Sequence, residues 1–172
     1  MADEDLYRLL LGYRQQLAAV WSDATIHPSY LGEPSAGRPI SRGQCGVSSA
    51  WILWKLGERF RSMTEATYCY GDVVDGGTGE TFEFHCWLEF GSSAERLVVD
   101  VTCDQFKVLH DTPVLFERHD RLMDRLIEYR ADSRRSFDEL SEDHVWERFE
   151  TLRQLTAPVA EPELATLSAP TG

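Results

Sequence analysis

Gly43-Gln44-Cys45-Gly46-Val47-Ser48-Ser49-Ala50-Trp51-Ile52-Leu53-Trp54-Lys55-Leu56-Gly57 is the stretch on which the reading of this chain turns. On a helix of 3.6 residues per turn, Val47, Ala50, Trp51 and Trp54 form one stripe and Ile52, Leu53 and Leu56 another. A helix apolar on nearly every side belongs in the middle of a fold. The pattern therefore predicts a central helix over 45–56, closed by Gly57 as its C-terminal cap. Its first residue is a cysteine. A sulfur there feels the positive end of the helix dipole, which favours thiolate, and the unpaired N–H groups of the first turn can hold a developing oxyanion. The competing reading is a buried structural cysteine, since free cysteine is among the most buried residue types.

Downstream the period changes from 3.6 to 2. Strands are expected over 66–74, 81–90 and 96–102, with a turn at Gly76, Gly77 and Gly79. In the second strand, parity puts Phe82, Phe84, Cys86, Leu88 and Phe90 on a core face and Glu83, His85, Trp87 and Glu89 on a mixed one. In the third, Leu97, Val99 and Val101 share the apolar face and Asp100 interrupts the other, where a carboxylate needs a specific partner. A symmetric hairpin centred on Ser92 and Ser93 pairs residues whose numbers add to 185, which sets His85 opposite Asp100. A thiol activated by a histidine that a carboxylate orients suits attack on an amide, ester or thioester carbonyl through an acyl-thioenzyme.

Working outward, Leu6, Leu9, Leu10, Tyr13, Leu17 and Val20 predict an amphipathic helix over 3–20. Prolines 28, 34 and 39 with Gly32, Gly37 and Gly43 make 21–43 an irregular connection. After Pro113 the charged pattern through Leu115, Leu122, Leu126 and Ile127, and again through Leu140, Val145, Phe149 and Leu152, predicts helices flanking the sheet. Pro158, Pro162 and Pro170 among small residues predict a disordered tail over 157–172.

With 42% hydrophobic and 11% aromatic residues, 172 residues suffice for one well-filled core. One α+β domain is expected over 1–156, with a central helix bearing Cys45, a small antiparallel sheet and flanking C-terminal helices. The 17 basic against 29 acidic residues, net charge -12, lack the basic patch that nucleic acid or anionic lipid requires. No apolar run has the length of a membrane span, and acidic Asp3, Glu4 and Asp5 precede the short run 9–11 where a secretory signal has cations. Cys45, Cys69, Cys86 and Cys103 form no Cys-x-x-Cys clip, so a reduced, cytoplasmic protein is expected. Their even spacing with His85 also lacks the close pairs of a zinc site, and no cofactor is expected.

Three short motifs resemble a known class. Gly43-Gln44-Cys45 opening a long apolar helix resembles the Gly-Gln-Cys of transglutaminases. Phe84-His85-Cys86-Trp87-Leu88-Glu89 resembles their His-x-Trp-x-Glu strand, and Val99-Asp100-Val101-Thr102 the strand ending in Asp-x-Thr. The resemblance covers about 44–106, and it is closer to the small bacterial YunG-like proteins, with Gly-Gln-Cys-x-Val, His-x-Trp and Asp-x-Thr-x-x-Gln-Phe, here Asp100 to Phe106. It implies a compact transglutaminase-like, papain-related fold and a triad of Cys45, His85 and Asp100, without a settled activity to carry over. This chain departs from transglutaminases at Gly46, where they have tryptophan. Their large flanking domains and calcium sites do not fit this length, so calcium-dependent crosslinking is not implied.

Around the triad, Gln44 reads as an oxyanion donor or as a solvent-facing helix start. Trp87 reads as a shield for the imidazole or substrate platform, or as ordinary packing. Asp104 and Gln105 read as pocket lining or as a closing turn. Ser48 and Ser49 only partly resemble a nucleophile elbow. His27, His110, His119 and His144 read as surface residues. The expected function is a cysteine amidase, hydrolase or acyltransferase acting on a small molecule or short peptide; the alternative is a non-catalytic binding or accessory domain that keeps the fold.

Overall fold

The computed structural model describes residues 3–34, 37–59, 66–91 and 96–157. The tail expected over 157–172 lies, past residue 157, outside the described residues. So does the centre of the hairpin at Ser92 and Ser93.

The class is α+β: a five-stranded antiparallel sheet with four helices among the described residues. Helix α1 runs Asp3–Ala18, followed by an irregular connection with one short 3-10 turn at Pro28–Tyr30. Helix α2 is Cys45–Arg59 and starts at the expected residue. It does not stop at Gly57, which lies within it with open space around its Cα, so nothing there forces the left-handed cap.

Strands β1 (Ala66–Asp75), β2 (Glu80–Phe90) and β3 (Leu97–Asp100) follow as expected. The region after Pro113 differs from its helical expectation. It forms strand β4 (Leu115–Arg118), a short helix α3 (His119–Asp124) and strand β5 (Ile127–Arg135) before helix α4 (Trp146–Leu155). In β5, inward Ile127 and Tyr129 alternate with Glu128 and Arg130. That is the period of an edge strand, whose interleaved charges resemble a solvated helix when spacing is judged loosely. The strand order is β4-β3-β2-β1-β5.

Both faces of the sheet are covered. On one, Leu10 and Leu17 of α1, Trp51, Ile52 and Leu56 of α2 and Phe149 and Leu152 of α4 pack on Tyr68, Cys86, Leu88 and Val99. On the other, Cys69, Val73, Trp87, Val98 and Tyr129 are closed over by Phe106, Leu109 and Leu122. Each fully buried leucine contributes roughly 2 kcal/mol by leaving water. The mixed face expected of β2 is therefore interior. Even Glu89 is 1% exposed there, and is held by Arg96 and Arg134 at 2.9 Å each.

Two local irregularities correct the strand reading. Between the pairs Gly71–His85 and Val73–Phe82, β2 has one residue more than β1, a bulge centred on Phe84 at φ 61°. Parity flips across it. Phe82 shares the face of His85, with ring centroids 5.2 Å apart, while Phe84 is 66% exposed rather than core. The β2–β3 pairs Leu88–Val99, Glu89–Val98 and Phe90–Leu97 add to 187, not 185. A two-residue shift preserves faces, so Asp100 meets His85 diagonally instead of head-on.

Candidate active site

The site forms where β3 leaves β2. The β2–β3 ladder ends at Leu88–Val99, and the start of α2 takes the vacated edge of β2. Ser49 Oγ donates to the Cys86 carbonyl at 3.1 Å, which sets Cys86 against the first turn of α2. At this edge a side chain from one sheet face and a helix from the other can meet.

The loop before α2 is pinned from several sides. Gly43 has φ +71°, and a Cβ there would lie 2.7 Å from the Tyr30 ring and 2.8 Å from Ile26. Only glycine fits that turn. The Gly43 N–H donates to Gln105 Oε1 at 3.2 Å. Asp104 accepts from Ser41 Oγ at 2.6 Å and from Arg14 at 2.7 Å, and Arg14 also donates to the Val101 carbonyl at 2.9 Å. Asp104 and Gln105 thus anchor the loop that presents Cys45; the closing-turn reading describes Asp104 better than the pocket-lining one.

His85 and Asp100 are buried, at 1% and 0% exposure. His85 Nε2 and Asp100 Oδ2 are 2.6 Å apart. The same Oδ2 accepts from Tyr129 Oη at 3.0 Å, while Oδ1 accepts from the Thr102 N–H at 2.8 Å and Thr102 Oγ at 3.0 Å. Burial alone would raise the Asp100 carboxyl, but His85 and Thr102 hold it below its ordinary value. Four accepted bonds satisfy the carboxylate and fix its plane, and the ring plane with it.

With Nε2 committed to Asp100, Nδ1 is the nitrogen left to face the thiol. Among the described residues Nδ1 has no completed hydrogen bond. The Cys45 thiol acts on the ring closely enough to raise its pKa but short of a formed bond, as is common before substrate tightens a site. Burial pushes His85 down; Asp100 first and then Cys45 push harder the other way, up to about 10. The Cys45 thiol is held well below its ordinary value, first by the Cys86 thiol and then, against the effect of burial, by His85. Cys86 moves well upward and stays a neutral thiol. Both shifts favour the Cys45 thiolate beside the His85 imidazolium. Cys45 is half-buried, whereas Cys69, Cys86 and Cys103 are buried.

Trp87, Gln44, Ser48 and Ser49 are all buried. Trp87 is 0% exposed and packs edge-on to Tyr129 with centroids 5.1 Å apart, so it offers no face to a substrate. It lies nearly parallel to His85, at 17° and 6.4 Å, and supports the ring from within. Gln44 is 2% exposed, not solvent-facing. Its Nε2 donates to the Ser22 carbonyl at 3.3 Å and its Oε1 has no partner among the described residues. One amide hydrogen remains for an oxyanion. Ser48 and Ser49 are buried in hydrogen bonds to Trp21 and Cys86, so neither is a free nucleophile.

Several residues at the site escaped the sequence reading. Tyr129 lies in the strand read as helix. Tyr68 donates to Cys86 Sγ at 3.0 Å, and with Val145 it fills the space a side chain at position 46 would need: a Gly46 Cβ would lie 3.1 Å from the Tyr68 hydroxyl and 3.3 Å from Val145. That packing leaves no room for a large side chain at position 46. Phe84, strained and exposed beside His85, stacks on Tyr70 at 6.3 Å. Its signal was available only as an excess of aromatics in β2. No helix of the described residues is long and apolar enough to cross a membrane. Compared with known proteins, the chain matches no family model, no curated protein and no solved structure.

Proposed function

We propose that this chain is a cysteine-dependent acyl-transfer enzyme of the transglutaminase-like, papain-related class, similar to the YunG-like proteins, with Cys45, His85 and Asp100 as its triad. The observation that carries the reading is the buried His85–Asp100 pair at 2.6 Å, whose ring and the sulfur at the head of α2 shift each other's ionisation. The Cys45 thiolate attacks the carbonyl carbon of an amide, ester or thioester. The oxygen, as it gains charge, is taken by N–H groups of the first turn of α2, which precede the first intrahelical bond from Ser48 N to Gln44 O. His85 Nδ1–H protonates the leaving amine, alcohol or thiol, which leaves an acyl-thioenzyme and a neutral ring.

In the second half Nδ1 removes a proton from water or from an amine, which attacks the thioester and expels the Cys45 thiolate. Asp100 keeps the proton on Nε2 throughout, so the ring cycles between imidazolium and the tautomer whose Nδ1 is basic. Water gives a hydrolase or amidase, an amine an acyltransferase. On the sheet side the exposed Phe84, stacked on Tyr70 beside His85, offers an aromatic face and favours an acyl donor with an apolar group beside its carbonyl.

The test is to incubate the protein with a panel of activated esters, thioesters and small amides and read intact mass. An acyl adduct on Cys45 that persists in His85→Ala for activated donors, but turns over only in the wild type, supports the reading. No adduct with any donor, in a folded protein whose Cys45 remains alkylatable, favours the binding or accessory domain. Adding a primary amine to a turning-over sample and finding an amide product separates transferase from hydrolase.

A further inference from the structure

Acyl transfer needs one thiol, and this site contains two. Cys86 follows His85 directly, is 6% exposed, and its carbonyl accepts from Ser49 Oγ in the first turn of α2 at 3.1 Å, where its thiol and that of Cys45 shift each other's ionisation in opposite directions. Its sulfur also lies 3.7 Å from where a Cβ on Gly46 would stand, which places it against the first turn of α2. The other cysteines are engaged elsewhere on the opposite face of the sheet. Cys103 donates to the Thr112 carbonyl at 3.1 Å, and Cys69 lies between Thr67 groups at 3.8 and 3.9 Å. Only Cys45 and Cys86 share the start of α2.

The Tyr68 hydroxyl donates to Cys86 Sγ at 3.0 Å in the interior. A phenol aimed at a thiol does little for a sulfur that stays protonated. It matters when the S–H bond breaks, because it then faces a developing thiolate. The Cys86 sulfur packs against position 46, next to the residue that carries the partner thiol, and a disulfide between the two needs a Cα separation on the order of 5.5 Å.

We propose that Cys45 and Cys86 form a dithiol that hydroperoxides convert into a reversible disulfide across the start of α2, taking the nucleophile out of service and protecting it from irreversible oxidation. In the first step the Cys45 thiolate attacks the distal oxygen of the hydroperoxide. The O–O bond breaks, Cys45 becomes a sulfenic acid, and the alkoxide or hydroxide that leaves takes a proton from His85. In the second, the Cys86 sulfur attacks the Cys45 sulfur. The S–O bond breaks, the oxygen departs as water with the Cys86 proton, and the disulfide forms while Tyr68 holds the charge on Cys86. The peroxide gains two electrons and the two thiols lose them; a dithiol reductant returns both.

This needs the two sulfurs to touch, not acyl transfer to occur, so the two readings fail separately. The full chain, reduced and then exposed to a slight excess of hydrogen peroxide at neutral pH, is digested without reductant and mapped by mass. The result expected is one crosslinked peptide joining Cys45 to Cys86, with alkylation of Cys45 lost and then restored by dithiothreitol. In Cys86→Ser and Cys86→Ala, dimedone should trap sulfenic acid at Cys45, and longer exposure should carry it to sulfinic acid that dithiothreitol does not reverse. Sulfinic acid at Cys45 in the wild type with no Cys45–Cys86 crosslink overturns the inference, as does crosslinking to Cys69 or Cys103 at equal yield. The wild-type mapping needs no variant to fold. Acyl adducts on the reduced chain without the disulfide remove only this inference; the disulfide without acyl adducts removes only the functional proposal.

Discussion

Asp100→Asn separates the position of the buried acid from its charge. The amide keeps Oδ1 for the Thr102 N–H and hydroxyl, but presents N–H groups where Oδ2 now meets His85 Nε2 and Tyr129. Nε2 must then accept, the ring proton moves to Nδ1, and the imidazolium that supports the Cys45 thiolate is lost. An ordinary cysteine with a pKa of about 8.5 is roughly 0.3% thiolate at pH 6, so full ionisation is worth a ceiling of ~300-fold. A more acidic thiol is a weaker nucleophile, with a Brønsted slope near 0.4–0.5, which reduces the expected difference in alkylation rate to roughly ten- to fifty-fold. The assay is iodoacetamide labelling of Cys45 at pH 6, read by mass on intact native protein. Unfolding is followed in parallel, because mismatched donors at His85 and Tyr129 destabilise by about 1–3 kcal/mol each. A folded Asp100→Asn protein that labels Cys45 as fast as the wild type would refute the linkage.

Other consequences follow from the same geometry. Tyr129→Phe removes one of four bonds to Asp100 and should destabilise by about 1–3 kcal/mol in denaturant melts while leaving Cys45 labelling within a few-fold; a loss of labelling as large as that of Asp100→Asn would make the phenol part of the proton path. Gly43→Ala drives a methyl into Tyr30 and Ile26 at a left-handed φ, and should lower stability by over about 1 kcal/mol and slow Cys45 chemistry together; an alanine as stable as glycine would show that the loop can give. For pH, His85 alone has its folded pKa raised from 6.5 to about 10, so its stabilisation is complete below 6.5 and fades as pH rises to about 10. Cys45 alone is lowered from 9.0, so its stabilisation is complete above 9.0 and fades as pH falls. The proton the thiol gives up is the one the ring holds. Between 6.5 and 9.0 the folded and unfolded pairs therefore carry equal protons, and this pair contributes no slope to stability there. Cys45→Ala should introduce a fall in stability with rising pH across that window; a wild type that already falls as steeply would mean an un-ionised thiol.

The parts of the fold that were legible were those with one strong local pattern. The apolar helix at Cys45, the three strands after it and the amphipathic start are each dictated by a period that burial enforces. What escaped was decided by tertiary context. Strand β5 carries charges at Glu128, Arg130, Asp132 and Arg134, and only its pairing with β1 makes it a strand. The Phe84 bulge depends on how β1 and β2 fit together, and its effect is to reverse every parity inference upstream of His85. The hairpin register was mistaken by two residues, an error that parity cannot detect because it leaves each side chain on its own face. For the same reason Asp100 and His85 still met. Of the readings open for Trp87, packing and support of the imidazole hold and the substrate platform does not, because nothing local to β2 says that Phe106, Leu109 and Leu122 will cover that face. Cys86, read as an ordinary core position, became part of the site only because α2 takes the edge that β3 leaves.

The most direct test of the account is the ultraviolet thiolate absorbance of the native protein titrated from neutral to acid pH, with Cys45→Ala subtracted. The account predicts a thiolate signal from one residue that survives well below the ordinary cysteine range and is absent in His85→Ala. A signal from Cys45 that vanishes near the ordinary value of about 8.5, unchanged by His85→Ala, would contradict it.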